Sequence, residues 1–304
     1  MRLLLIVNTT ASSVTPRKRV VIRKALAADH DVEVAETSRR GHAMRLARAA
    51  AIGGVDVVAV LAGDGTLNEA ADGLAGTQTA LAPLPGGSTN VYARTLGIPM
   101  DAVEATGALL ASLARRAFRR VGVGSVNGRR FLFHAGFGFD AAVIEQVERR
   151  GDLKRVAAHP IFVAAAFDTW LRHYDRSRPR FSIRLDDGEV IDGCYFAVVS
   201  KTSPYTYLGT RPIHIAQGVG LDTPLALTAF RRIDAVTLLG ATASSMRSGR
   251  FLRHRRGIVQ RHGLERLTLN GDTPFPWQVD GDHLGDAAHL DVVYEPDALT
   301  LVVP

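Results

Sequence analysis

Short apolar runs alternate with segments of helical periodicity along the first third of the chain. Four runs predict strands, at residues 2–7, 32–34, 55–61 and 80–84. The 55–61 run is apolar almost throughout, which is typical of a strand covered on both faces in a parallel sheet. Helices are predicted at residues 17–28, 42–51, 66–74, 89–95 and 101–114. This alternation predicts a doubly wound, Rossmann-like α/β domain.

The pattern changes after the last of these helices. Strands are predicted at residues 119–126, 130–135, 180–185, 195–200 and 226–230, with helices at 141–150 and 161–174. Their spacing predicts a mainly antiparallel second region. We therefore predict two domains, residues 1–118 and 119–304, with the boundary near Phe118 and a last strand that can return to the first domain.

Composition predicts a cytoplasmic protein. The one cysteine, Cys194, cannot form an internal disulfide, so nothing indicates an oxidising compartment. The apolar run at residues 3–7 is too short for a secretory signal and is interpreted as the first strand. No apolar run approaches the roughly 20 residues of a membrane span.

The net charge of +7 comes mainly from arginine. Six arginines fall in one stretch without an intervening acid: Arg247, Arg250, Arg253, Arg255, Arg256 and Arg261. This arginine cluster predicts peripheral attachment to an anionic membrane surface, and a merely solvated basic face is the alternative. Phe251 is the single Phe, Tyr or Trp within the cluster, which is too few for a base-stacking surface, so we expect no nucleic-acid partner.

The sequence Gly63-Asp64-Gly65-Thr66-Leu67-Asn68-Glu69 lies between a predicted strand and a predicted helix. Gly63 and Gly65 permit positive φ and close backbone approach, so the amides of this turn can point at a phosphate. Asp64 would repel a bare phosphate, which indicates that a divalent cation or a hydrogen-bond network lies between them. The alternative is an ordinary tight turn with Thr66 as the helix N-cap.

A second glycine turn, Pro85-Gly86-Gly87-Ser88-Thr89-Asn90, follows the next predicted strand. Turns at the carboxyl ends of neighbouring parallel strands face one crevice, where ligands usually bind in such sheets. In order, spacing and flanking strands, the two motifs resemble the catalytic domain of the diacylglycerol kinase family, which includes sphingosine kinases and bacterial lipid kinases. The resemblance is closest over residues 1–101 and returns at Val279-Asp280-Gly281-Asp282.

The resemblance implies an ATP-dependent kinase that uses Mg²⁺ and phosphorylates a lipid hydroxyl, with diacylglycerol as the default acceptor. It also implies a β-sandwich as the second domain. Residues at the strand ends are then the predicted nucleotide-binding set: Asn8, Thr9, Thr37, Gly63, Asp64, Gly65, Thr66, Leu67, Asn68, Glu69, Gly87, Ser88 and Asn90. Asp64 would organise the metal ion and water. A homodimer is left open.

The Asp280-Gly281-Asp282 segment resembles the Asp-Gly-Glu signature at which relatives place their catalytic acid. Asp280 matches directly and is the candidate general base for the acceptor hydroxyl. Asp282 stands where relatives have Glu, so its carboxylate is one methylene shorter. Taken without the resemblance, Asp-Gly is typical of a hairpin turn.

Several positions depart from the family pattern. Val91 and Gly122 replace acids of a magnesium-linked network that part of the family uses. A third carboxylate position of the family pattern, an Asp-Gly after a leucine, is Leu221-Asp222-Thr223 here, and a structural Mg²⁺ is predicted at Asp222. The segment 136–141 also fits the Gly-x-Gly-x-x-Ala form of a dinucleotide site, but no second strand with a ribose-binding acid follows it.

Two different functions are compatible with parts of this sequence. An NAD or sugar kinase would share the Gly-Asp-Gly-Thr turn, but the second glycine turn and the arginine cluster favour a lipid acceptor. A non-enzymatic lipid-binding descendant would account for the missing acids at Val91 and Gly122, but Asp64 and Asp280 are both present.

Overall fold

We describe the protein from a computed structural model, which describes residues 1–149, 166, 168–247, 252 and 256–304. The chain forms two compact units, residues 1–123 with 296–304 and residues 124–295. The boundary predicted from the sequence was near Phe118. The two units correspond to the predicted architecture, an α/β unit followed by a mainly antiparallel one.

The first unit alternates strands and helices. Its strands are β1 (Arg2–Val7), β2 (Asp31–Glu36), β3 (Val57–Ala62) and β4 (Ala80–Pro85). Its helices are α1 (Pro16–Leu26), α2 (His42–Ile52), α3 (Asp64–Leu74), α4 (Val91–Thr95) and α5 (Ala102–Ala114). The predicted and observed bounds agree within about two residues for every one of these elements.

These four strands are parallel, in the order β4-β3-β1-β2. All six residues of β3 and all six of β4 are buried, as expected for strands covered on both faces. The end of a later strand, at Thr300 and Leu301, pairs in parallel with Ala80 and Leu81 of β4. Because the strands are parallel, their carboxyl ends lie along one edge of the sheet.

The second unit is built of antiparallel strands around its own core. The strands that lie wholly or partly in this unit are β5 (Phe118–Val126), β6 (Arg129–Phe131), β7 (His134–Gly138), β8 (Phe181–Leu185), β9 (Val190–Cys194), β10 (Phe196–Ser200), β11 (Thr206–Leu208), β12 (Arg211–Ile213), β13 (Leu225–Phe230), β14 (Ile258–Leu264), β15 (Arg266–Val279) and β16 (Asp282–Val302). The long β15 pairs with β8 through its first part and with β7 through its last three residues. One strand therefore contributes to two sets of paired strands.

Two helices of this unit concern the site, α6 (Phe139–Arg149) and α7 (Ala235–Arg247). The single strand predicted at 130–135 is wrong, because the chain forms β6 and β7 there instead. Residues 161–165 and 167 of the helix predicted at 161–174 lie outside the described residues, and its described end contains a short π-helix, Thr169–His173. Among the described residues, no helix has the length and apolar character needed to span a bilayer.

Candidate active site

Four loops follow the carboxyl ends of the parallel strands and carry most of the predicted nucleotide-binding residues. Asn8 follows β1, Thr37 follows β2, Gly63 follows β3, and Gly86 follows β4. Thr37 is tied to the end of β1 by its backbone N–H, which donates to the Val7 carbonyl at 2.9 Å. The sequence therefore located the loops of the first unit correctly.

The two glycine turns touch through their backbones. A Cβ atom added at Gly87 would lie 2.7 Å from the Cα of Gly63, and one at Gly86 would lie 2.9 Å from the backbone nitrogen of Ala62. Both distances are shorter than real Cβ contacts allow, so a side chain at either position would push the turns apart. Glycine is needed here for close approach.

Helix α3 begins earlier than the alternative interpretation of this turn placed it. Gly63 has φ −84° and is the N-cap of α3, while Gly65 lies inside the first turn of that helix. The interpretation of Thr66 as the N-cap is therefore wrong, and the positive φ that Gly63 permits is not used. The first backbone N–H groups of α3, those of Asp64, Gly65 and Thr66, have no intrahelical acceptor and can bind an anion.

Asp64 holds the second turn in place. Its two carboxylate oxygens accept hydrogen bonds from the backbone N–H groups of Val91, at 2.9 Å, and Tyr92, at 3.1 Å. Asp64 therefore caps α4, whose own N-cap, Asn90, makes no capping bond with its side chain. Burial raises the pKa of Asp64, and the two backbone hydrogen bonds and Arg94 oppose this effect.

The other predicted nucleotide-binding residues divide into two groups. Asn8 donates through Nδ2 to the Thr66 hydroxyl at 3.1 Å, and both side chains are half-buried beside the helix terminus. Thr9 and Ser88 are exposed, and Gly87 is partly exposed. The remaining side chains have structural contacts: Leu67 and Asn68 are buried, Glu69 accepts from the N–H groups of Gly41 and Ala43, and Asn90 bonds across its own turn to Gly87.

Each carboxylate oxygen of Asp64 accepts one backbone hydrogen bond and keeps a second lone pair, so the metal role of Asp64 stays a prediction. Within the described ranges, no group of three or more His, Cys, Asp or Glu side chains could hold a metal ion. A divalent ion at this edge would therefore have to arrive with its own oxygen ligands, such as nucleotide phosphates.

The second candidate site is the hairpin turn between β15 and β16. Val279 pairs with Asp282, and the two residues between them have φ +47° (Asp280) and +85° (Gly281), as in a type I′ turn. The hairpin interpretation of Asp-Gly is thus confirmed. Asp280 is buried, and its carboxylate accepts from three backbone N–H groups, those of Leu132 at 2.7 Å and of Phe133 and His134 at 3.0 Å.

These bonds make Asp280 an anchor between the hairpin and the segment that joins β6 to β7. Its own backbone N–H donates to the His134 carbonyl at 2.9 Å, so the two segments are joined in both directions. A carboxylate with three fixed donors has little remaining capacity to accept another proton donor. Asp282, at the first position of β16, is partly exposed.

A buried polar network supports the same turn. Asp140, at the start of α6, accepts from the Tyr205 hydroxyl at 2.7 Å and from Gln278 Nε2 at 2.8 Å. Gln278 in turn accepts from the Gly281 N–H at 2.8 Å. Burial raises the pKa of Asp140, opposed by its two side-chain donors. Sequence reasoning missed this network because its members are distant in sequence.

The network also explains the glycine pattern at 136–141. A Cβ atom at Gly136 would lie 1.6 Å from Asp140 Oδ2 and 2.5 Å from Gln278 Nε2. The glycine therefore makes room for the buried carboxylate of Asp140. This packing role accounts for the resemblance to a dinucleotide fingerprint.

Two buried basic side chains near the turn were also missed. His134 has no hydrogen-bond partner for either ring nitrogen among the described residues, and burial lowers its pKa to about 3. Lys201 is 1% exposed and donates through Nζ to the carbonyls of Gly220 at 2.8 Å and Leu221 at 3.1 Å. Burial lowers the pKa of Lys201 to about 8, opposed by the charge of Asp222.

Comparison with known proteins gives a family match for part of the chain. Residues 2–126 match the family model of the diacylglycerol kinase catalytic domain. The diacylglycerol kinase of Bacillus subtilis (strain 168) is 35% identical over 121 residues, which cover 39% of this chain and 39% of that protein. The "Probable lipid kinase YegS-like" of Pseudomonas aeruginosa (strain UCBPP-PA14) is 36% identical over 141 residues, 44% of each chain.

The second unit is compared with solved structures by its fold. A crystal structure of a diacylglycerol kinase from Bacillus anthracis str. Sterne matches 100% of this chain and 97% of its own, with a TM-score of 0.73 and 20% identity. At this identity the likeness shows the fold alone. In sequence, the chain spans about two-fifths of the length of the curated relatives it matches. Residues 2–126 of this chain therefore match the diacylglycerol kinase catalytic domain, and this match covers less than half of the chain.

Proposed function

We propose that this protein transfers the γ-phosphoryl group of ATP to a lipid hydroxyl, with diacylglycerol as the default acceptor. The observation that carries the proposal is the close contact of the two glycine turns beside the N-terminus of α3, within the segment that matches the kinase family. The relatives' names, diacylglycerol kinase and lipid kinase, favour a lipid acceptor.

The nucleotide phosphates would bind backbone amides and hydroxyl groups at the strand ends. The amides at the start of α3 supply fixed partial positive charge, and Thr66, held by Asn8, supplies a hydroxyl beside them. Exposed Ser88 adds a second hydroxyl from the other turn. Mg²⁺ would enter bound to the nucleotide as part of the substrate, where it neutralises phosphate charge. In this scheme, Asp64 positions the turns.

The proton of the acceptor hydroxyl would pass to the Asp280–Asp282 turn. Asp280 is the buried anchor of that turn, and Asp282 has the more exposed carboxylate, so we assign positioning to Asp280 and proton acceptance to Asp282. Phosphoryl transfer depends mainly on positioning and charge neutralisation, so the base contributes a part of the rate.

The proposal is tested by assaying radiolabelled ATP with Mg²⁺ against a panel of lipids in mixed micelles. The panel contains diacylglycerol, a sphingoid base, ceramide, phosphatidylglycerol and a polyprenol, with NAD and a hexose as non-lipid acceptors. We expect label in the lipid phase with diacylglycerol. Label transferred only to NAD or the sugar would contradict the lipid assignment, and lipid binding without label transfer would contradict the kinase assignment.

We further propose that the protein attaches peripherally to an anionic membrane through α7. This helix has large apolar side chains on its outer face, with Val236 78% exposed, Leu239 72% and Met246 40%. Its buried face carries small and polar residues, including Thr237, Ser244 and Ser245. A helix that exposes its apolar side chains and buries its polar ones favours contact with an apolar partner.

The charge beside α7 favours anionic lipid as that partner. Exposed Arg232 and Arg256 line a shallow cavity of about 680 Å³ together with Val236, Asp234 and Thr237. Asp234 is itself engaged at the start of α7, where it accepts from the N–H and the hydroxyl of Thr237 at 2.9 Å. Arginine beside exposed apolar residues matches the headgroup and acyl layers of a bilayer.

Only some arginines of the cluster predicted from the sequence belong to this surface. Arg250, Arg253 and Arg255 lie outside the described residues. Arg261 forms a bidentate ion pair with Glu189, at 2.5 and 2.8 Å, so its charge is locally balanced. Arg247 and Arg256 are exposed.

Vesicle flotation tests the attachment. We expect the wild type to bind vesicles containing phosphatidylglycerol and to be released by raised salt. Replacing Val236 and Leu239 by Ser should reduce binding about tenfold, since two exposed apolar contacts are lost. Ile52, which is also 78% exposed but lies on α2, provides the matched control, Ile52→Ser. Equal binding of neutral and anionic vesicles, or equal losses in both variants, would contradict the assignment of α7.

A further inference from the structure

Lys201 occupies the place where the sequence predicted a structural metal ion. Its side chain is 1% exposed, and its Nζ lies 2.8 Å from the Gly220 carbonyl oxygen and 3.1 Å from that of Leu221. Asp222, the predicted metal ligand, follows directly in the chain, and its charge acts on the same ammonium. Two carbonyl oxygens and a carboxylate are the kind of group that binds a hard cation.

The loop that supplies these oxygens is held in a fixed shape. Gly220 donates its N–H to the Thr223 hydroxyl at 2.9 Å, and the Gly220 carbonyl accepts from the Thr223 N–H at 3.3 Å. The carbonyls of Gly220 and Leu221 are thereby directed to one point. Convergent carbonyls repel each other unless a donor or a cation lies between them, and the Lys201 ammonium lies at that point.

The backbone of Lys201 connects this loop with the Asp280 turn. The N–H groups of Lys201 and Thr202 donate to the Phe133 carbonyl, at 2.8 and 3.3 Å. The N–H of Phe133 donates in turn to the Asp280 carboxylate at 3.0 Å. A continuous series of hydrogen bonds therefore joins the 220–221 loop, through Lys201, to the hairpin that carries Asp282.

A divalent ion does not fit beside this ammonium. Calcium and magnesium need oxygen ligands at about 2.0–2.6 Å, so either ion would have to take the space of Nζ and would be repelled by its charge. We propose that Lys201 is a built-in cation that replaces a divalent metal ion at the Gly220–Asp222 loop, so that this loop and the Asp280 hairpin remain ordered without metal.

The proposal is tested on the protein without nucleotide or lipid, so its outcome is independent of kinase activity. Thermal melting of the wild type is measured in chelator, in millimolar Mg²⁺ and in millimolar Ca²⁺, at constant ionic strength. We expect the same melting temperature in all three solutions, and the same for Asp222→Asn. A rise with either ion that Asp222→Asn abolishes would show a metal site at this loop and would overturn the proposal.

Two variants of Lys201 sharpen the test. Lys201→Met keeps the length of the side chain but removes the charge, and we expect a melting temperature about 5 °C lower with no response to divalent ions. Lys201→Ala opens the space at the carbonyls, so part of its loss should be restored by Ca²⁺ or by ethylammonium. If Lys201→Met melts like the wild type, the ammonium does not order the loop and the proposal fails. If either variant cannot be recovered in folded form, the melting temperatures of the wild type and of Asp222→Asn in the three solutions test the proposal.

Discussion

The glycine turns of the first unit and the Asp280 hairpin of the second hold their backbones in different ways. The turns touch directly, Gly87 against Gly63, and one carboxylate, Asp64, caps the adjoining helix. The hairpin is held by buried side chains: Asp280 accepts from backbone N–H groups between β6 and β7, and Gln278 links the Gly281 N–H of the turn to the Asp140 carboxylate. Adding side-chain atoms disrupts a direct backbone contact, whereas removing a hydrogen-bond partner disrupts a buried polar network.

The largest expected effect comes from removing the anchor of the hairpin. Asp280→Ala leaves the buried N–H groups of Leu132, Phe133 and His134 without their acceptor, and we expect a loss of about 3–5 kcal/mol in the free energy of unfolding. Asp286→Ala, an exposed acid on the same hairpin, is the matched control and should stay within about 0.5 kcal/mol. Urea unfolding measures both, and equal small losses would contradict the anchor role.

An added side-chain atom should disrupt the contact between the two glycine turns. Gly87→Ala places a Cβ atom 2.7 Å from the Gly63 Cα, so the two turns must separate, and we expect ATP affinity to fall about 100-fold, equivalent to about 2.7 kcal/mol. Gly107→Ala is the control, since a Cβ atom at this position of α5 meets nothing within 4 Å. Calorimetric titration with ATP measures the difference. Wild-type affinity in Gly87→Ala would mean that ATP does not bind at these turns.

A smaller effect is expected from pH, through His134. Burial lowers its pKa to about 3, so below the unfolded value of 6.5 the unfolded chain binds a proton that the folded chain does not. Stability therefore falls with acidification, by about 1.4 kcal/mol per pH unit and by about 2 kcal/mol at pH 5. His134→Phe keeps an aromatic ring and should remove this part of the slope. Urea unfolding at pH 7 and pH 5 tests it, and equal slopes in both proteins would refute it.

The difference between the two regions also explains what the sequence could predict. In the first unit, β1, β3 and β4 are apolar runs, and glycine turns follow β3 and β4 directly. Neighbouring residues alone therefore indicate both the strands and the loops after them. The loops were therefore located correctly. Which of the glycines make close contact could not be predicted, because the contact depends on how the turn after β4 approaches the turn after β3.

In the second unit, the important contacts join residues that are far apart in the chain. Asp280 bonds to Leu132 and Gln278 bonds to Asp140, separations of 148 and 138 residues. The pattern of apolar and polar residues along the chain gives no information about such pairs. Lys201 was missed for the same reason, since its partners become visible only when the 220–221 loop is folded against it.

The central claim is that the strand-end turns bind the nucleotide while Asp282 accepts the proton from the acceptor. It is tested most directly by measuring, for Asp282→Asn, both the rate of lipid phosphorylation and the affinity for ATP. The account predicts a rate about 10² to 10⁴ lower with ATP affinity unchanged within about twofold, because the substitution keeps the size of the side chain but removes the proton acceptor. A wild-type rate in Asp282→Asn, or an ATP affinity that falls together with the rate, would contradict it.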